Sequence, residues 1–260
     1  MGHVRIGFLP HTKQWNSIVQ SLSLFGGDSD VVLQIANNTL DAIRNTYEIL
    51  PYDESIIKAI SYLANLAFSA KQSDQIAYLN SNGYDVDEEM SLLSLVSSAQ
   101  EYISVEQGSC EINKLAKDAA MQSIIKYYEN HNDGQLSLFC GENRSPFVNA
   151  GTGAAFCEMA RSFFAVFTDK QIKYYVEREA ASSINDYRQL DNFTKMLTEQ
   201  ASSIADHAFE ISKLMQSFAA GWFNKYAVNS APSHDEMVSF LTLSFAKMRE
   251  ELRREAEHDR

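Results

Sequence analysis

Residues 150–180 read AGTGAAFCEMARSFFAVFTDKQIKYYVEREA, and residues 209–227 read FEISKLMQSFAAGWFNKYA. In the first, Phe156, Met159, Phe163, Phe164 and Phe167 crowd one surface, and Ile172, Tyr175 and Val176 continue it. Leading into and through the second, apolar or small residues fall at Phe193, Leu197, Ala201, Ile204, Ala208, Ile211, Met215, Phe218, Trp222 and Tyr226. Steps of three and four residues place them on one face of an α-helix. No proline occurs between Phe147 and Ala231 to break the pattern. Met196, Phe209, Leu214 and Phe223 widen the stripe. These runs predict two long helices of a bundle, so the fold class is mainly α.

Working outward, the chain before this stretch also reads as helices. Val32, Ile35, Leu40, Ile43, Tyr47 and Leu50 keep helical spacing until Pro51. Asp53 opens the next run, through Ile56, Ile57, Ile60, Leu63, Ala64, Ala67 and Phe68. A short piece from Ser73 to Leu79 ends at the turn pair Asn82-Gly83. Further runs are expected from Asp87 to about Gln107 and from Ser109 to about Asn132. The only strand signal is weak. Residues 4–9, VRIGFL, end at Pro10 and could pair with residues 135–140, QLSLFC, in a small two-stranded element. Gly141, Asn143, Pro146 and Asn149 mark the best break in the chain. The expected division is an N-terminal helical bundle over 1–133 and a long-helix region over 134–260. In the latter, Ser233 and Glu236 form a capping-box pattern before a final helix that becomes wholly charged, KMREELRREAEHDR.

The formal net charge of −12 opposes a general nucleic-acid binder, which needs clustered Lys and Arg. No run of eighteen apolar residues suits a membrane span. The N-terminus is too short and polar for a secretory signal and lacks the myristoylation pattern. Cys110, Cys140 and Cys157 are odd in number and form no CxxC pair, which fits reduced thiols in a cytoplasmic protein.

Motifs for chemistry are sparse. Gly151-Thr152-Gly153 could begin a phosphate loop, but Phe156 stands where the dinucleotide pattern needs glycine, and no Lys-Ser or Lys-Thr follows. The stretch reads as a helix start with close packing. The acidic run Asp85, Asp87, Glu88, Glu89 lacks the spacing of a calcium loop. His207 and Glu210 stand three apart on a helix, and Glu158, Glu177 and Glu179 could add carboxylates, the makings of a metal-dependent helical enzyme. Arg161, Lys170, Lys173 and Arg178 are the candidate contacts of a nucleic-acid-binding subunit. No cofactor is indicated.

The stretch quoted first, together with QSFAAGWFNKYA, resembles small helical accessory proteins encoded beside ATPase or nuclease subunits in prokaryotic antiviral defence operons. The resemblance covers roughly residues 150–228 and implies a non-catalytic subunit of a multi-protein defence complex. It transfers no functional residue. The residues themselves favour an accessory or scaffold role. Phe163, Phe164, Phe167, Phe218, Trp222 and Phe223 would form an aromatic face that docks a protein partner, an ATPase or nuclease subunit or a second copy of the chain.

Overall fold

A computed structural model describes residues 13–105, 110–132, 145–210 and 213–258; at positions 44, 45, 206–210, 213–216 and 251–258 it describes backbone alone. Among these residues every regular element is helical, so the chain is a mainly α bundle. The short strand pair expected over 4–9 and 135–140 lies outside the described residues. The helices are α1 (Lys13–Ser23), α2 (Ser29–Ile43), α3 (Glu54–Ser69), α4 (Gln75–Ser81), α5 (Leu92–Tyr102), α6 (Cys110–His131), α7 (Gly153–Ser183), α8 (Tyr187–Glu210), α9 (Lys213–Tyr226) and α10 (His234–His258).

Local chemistry sets the starts of these helices. The Asp53 carboxylate accepts from the Ser55 amide at 2.9 Å, and Asp74 accepts from Ala77 at 2.9 Å. Thr152 caps α7 through the Ala155 amide at 3.1 Å. Ser233 and Glu236 close the expected capping box, the Ser233 amide donating to the Glu236 carboxylate at 2.7 Å. Each cap satisfies amides that the first helical turn leaves unpaired.

Two boundaries differ from the sequence pattern. The run from Val31 to Leu50 is not one helix: α2 ends at Ile43 and tightens into 3-10 turns at Arg44–Glu48 and Leu50–Tyr52. The Thr46 hydroxyl donates back to the Ile43 carbonyl at 2.6 Å, which competes with helix continuation. The run from Asp87 starts late. Asp87 accepts from the Ser91 amide at 2.8 Å, Met90 takes a left-handed backbone with φ 48°, and Ser91 caps α5.

The α7 helix, 31 residues and so about 46 Å long, is the central pillar. It touches α1, α2, α3, α6, α8 and α9. Two chain segments return along it. The α8 helix packs beside α7 and α2, and α9 then meets the start of α7, where Gly153 faces the backbone of Ala220. The pattern from Phe193 to Tyr226 therefore belongs to two described helices, α8 and α9, on either side of residues 211–212. A Cβ on Gly153 would stand 2.5 Å from the Ala220 oxygen, so glycine permits this crossing. The Ser123 hydroxyl pins α6 to α7 by donating to the Met159 carbonyl at 2.6 Å. Helices from both sides of the expected 133/134 boundary share one apolar core, in which Ile60, Leu63, Phe156 and Phe164 are fully buried.

Candidate functional site

The aromatic residues expected to form a docking face lie inside the molecule. Phe163, Phe164, Phe167 and Phe223 are fully buried, Trp222 is 6% exposed, and Phe218 is half-buried. Helix α10 covers them. Phe240 sits 4.6 Å from Trp222, 5.5 Å from Phe156 and 5.6 Å from Phe218, measured between ring centres. Phe245 meets Phe164 at 5.5 Å and Phe167 at 6.4 Å. These separations and tilts are those that aromatic pairs favour. The outer side of Phe218 carries the Lys247 ammonium, 5.6 Å from the ring centre. Five of the six side chains are thus part of a core cluster closed by the last helix, and Phe218 packs half-buried at its edge.

The side chains of His207 and Glu210 lie outside the described residues, although the backbone of α8 holds both positions in one helix. Of their expected companions, Glu158 is engaged elsewhere, and Glu177 is raised above the usual carboxylate range by partial burial. Among the described residues no group of three or more His, Cys, Asp and Glu could hold a metal. The basic residues of the nucleic-acid reading are partly neutralised. Lys170 pairs with Asp118 at 3.2 Å, and Lys173 with Asp169 at 2.8 Å. Gly151-Thr152-Gly153 serves as helix start and close crossing: Thr152 caps, and Gly153 abuts α9.

One cleft gathers polar groups that the sequence pattern does not connect. It measures about 290 Å³ and lies between the end of α6 and the start of α7, lined by Tyr127, His131, Asn149, Thr152 and Glu158 among others. The His131 Nδ1 is 3.0 Å from the Tyr127 carbonyl, four residues back. That carbonyl can only accept, so Nδ1 carries a proton and Nε2 turns toward Glu158, 3.4 Å away. The second Glu158 oxygen accepts from the Asn130 amide at 2.9 Å. The His131 ring stacks on Tyr127 with centres 4.2 Å apart, and Tyr127 leans on Phe147 at 5.0 Å. Burial pushes the Tyr127 hydroxyl above its usual range, and the Glu158 charge adds to the shift. The Asn130 bond ties α6 to α7 directly, and the other Glu158 oxygen pairs with His131 only when the imidazole carries a proton on both nitrogens, so the cluster acts first as a clasp between the two helices. The separation of His131 and Glu158 by 27 positions hid the pair from motif reading.

The described surface carries several large apolar side chains, including Leu24, Leu93 and Tyr187, each far from the others in sequence. Two are close together: Ile49 and Tyr52 are 54% and 65% exposed. They are three residues apart in the 3-10 connector after α2, where the Tyr52 amide donates to the Ile49 carbonyl at 3.1 Å. The Glu48–Arg249 ion pair ties this connector to α10. No helix among the described residues is long and apolar enough to cross a membrane. No family model, curated protein or solved structure matches the chain.

Proposed function

We propose that this chain is a non-catalytic accessory subunit of a multi-protein complex in the cytoplasm, a helical scaffold that docks a protein partner. The supporting observation is the paired exposure of Ile49 and Tyr52 on a connector that the Glu48–Arg249 pair and α10 hold in place. A large aromatic side chain on a fixed backbone is the usual anchor of an interface, because it buries much area for little lost freedom. A formal charge of −12 matches a partner with a basic docking surface. The partner class that the resemblance implies is an ATPase or nuclease subunit of a prokaryotic defence operon; self-association is the other form of the same reading.

The test is capture of the tagged chain's complex from its native host, identification of the stoichiometric partner, and reconstitution with that partner. Tyr52→Ala should weaken the reconstituted complex about tenfold or more, roughly 1.4 kcal/mol, without lowering the unfolding temperature. Unchanged assembly by the folded variant removes Tyr52 as the anchor. A chain that elutes alone at all concentrations overturns the scaffold reading itself.

A further inference from the structure

The cleft between α6 and α7 holds two hydrogen-bond acceptors that face each other. The Tyr127 carbonyl, at 3.0 Å, takes the proton on His131 Nδ1, so in the neutral ring Nε2 presents a lone pair. Glu158 Oε2 stands 3.4 Å from Nε2 and, as a carboxylate oxygen, can only accept. The Asn130 amide serves the other oxygen at 2.9 Å and holds the carboxylate in this direction. Stacking on Tyr127, with ring centres 4.2 Å apart, holds the imidazole. Both acceptors are preset, and while the ring is neutral neither can supply the hydrogen that would join them.

The space beside the pair has room for a molecule that can. Its volume of about 290 Å³ is far more than one water needs. Among the described residues that line the cleft there is no Lys or Arg, so Glu158 is its one formal charge while His131 is neutral. That charge is felt inside the cleft, where it helps to push up the Tyr127 hydroxyl. Pro146, Ala154 and Ala155 make part of the wall apolar. A metal ion would need at least a third ligand, and among the described residues no group of three or more His, Cys, Asp and Glu could hold one. An ammonium group needs only acceptors. Its N–H bonds can reach Nε2 and Oε2 together, at the separation of about 2.7–2.9 Å that charge-assisted bonds favour.

We propose that this cleft binds a small organic cation, a primary ammonium ion on a short hydrocarbon stem. The ammonium donates to His131 Nε2 and Glu158 Oε2, and the stem lies against Pro146, Ala154 and Ala155. The bound cation then joins α6 to α7 as a second proton on the imidazole otherwise would.

The full chain, with its histidine rings labelled with nitrogen-15, is titrated with n-butylammonium chloride at about pH 8, where an ordinary imidazole is neutral. The expected result is a saturable shift of the His131 Nε2 resonance. Affinity should fall about tenfold or more in Glu158→Gln, which keeps an oxygen for Asn130 and loses the charge. Butan-1-ol, which lacks the charge, and tetramethylammonium, which lacks N–H groups, should leave the resonance where it is. Absence of a saturable shift overturns the proposal, and so does full affinity in folded Glu158→Gln or an equal response to tetramethylammonium. Zinc chloride that moves the same resonance at lower concentration would make the pair metal ligands and would overturn it as well. Should Glu158→Gln fail to fold, the contrast among the probes on the wild-type chain gives the answer.

Discussion

Gly153 and Gly221 are both helical glycines, yet replacing them should move stability in opposite directions. A methyl at Gly153 meets the Ala220 oxygen at 2.5 Å and the Asn224 side chain at 2.7 Å. Backbone cannot step aside cheaply, so Gly153→Ala should cost about 1–3 kcal/mol. Gly221 is exposed in α9 with nothing within 4 Å of an added Cβ. Gly221→Ala should therefore stabilise by about 0.5–1 kcal/mol. Urea unfolding of both variants checks the pair, and two shifts of the same sign would refute the crossing geometry. A second prediction concerns Asp53, whose burial holds it above the usual carboxylate range despite the lowering bonds from Ser55. A carboxyl raised in the folded state contributes stability that is present below its unfolded pKa and is lost as pH rises through the folded one. Asp53→Asn caps equally well and does not titrate. Its stability relative to wild type should grow as pH rises from below the ordinary aspartate range to above it, measured by denaturant midpoints. A constant difference would show that Asp53 titrates normally.

At the scale of the element, α10 decides what the aromatic helices are for. A stripe of Phe and Trp at helical spacing states that a face is apolar; it does not state which surface covers it. The coverage here comes from Phe240 and Phe245, far along the chain from Phe163 and Phe164, and local periodicity carries no information about that pairing. Trp222→Ala should accordingly destabilise the fold by about 3–5 kcal/mol, seen as a large fall in unfolding temperature. A folded Trp222→Ala protein with unchanged stability would return Trp222 to the surface. Other elements were legible because their determinants are local. Asp53, Thr152 and the Ser233–Glu236 box announce helix starts within three residues of the groups that they cap. The end of α2 was less legible, since the Thr46–Ile43 bond that tightens it resembles ordinary helical sequence until the geometry is seen. The His131–Glu158 clasp was illegible for a related reason: it exists only once α6 and α7 are side by side.

For the whole molecule, the arrangement is a central helix wrapped on nearly all sides, so cohesion should be global rather than confined to either sequence half. The chain contains two tryptophans, and both are buried against α7 at opposite ends of it. Trp15 meets Tyr175 at 6.2 Å, whereas Trp222 meets Phe156 at 5.7 Å. The protein thus carries a native optical gauge at each end of its pillar. Trp15→Phe and Trp222→Phe variants, each retaining one indole, would report the two ends separately by the red shift of emission as that indole meets water. Coincident urea transitions are expected if the core melts as one unit. Transitions displaced from each other would mean that the pillar can let go of its neighbours at one end while the other holds, and the spectrum would show which end yields first.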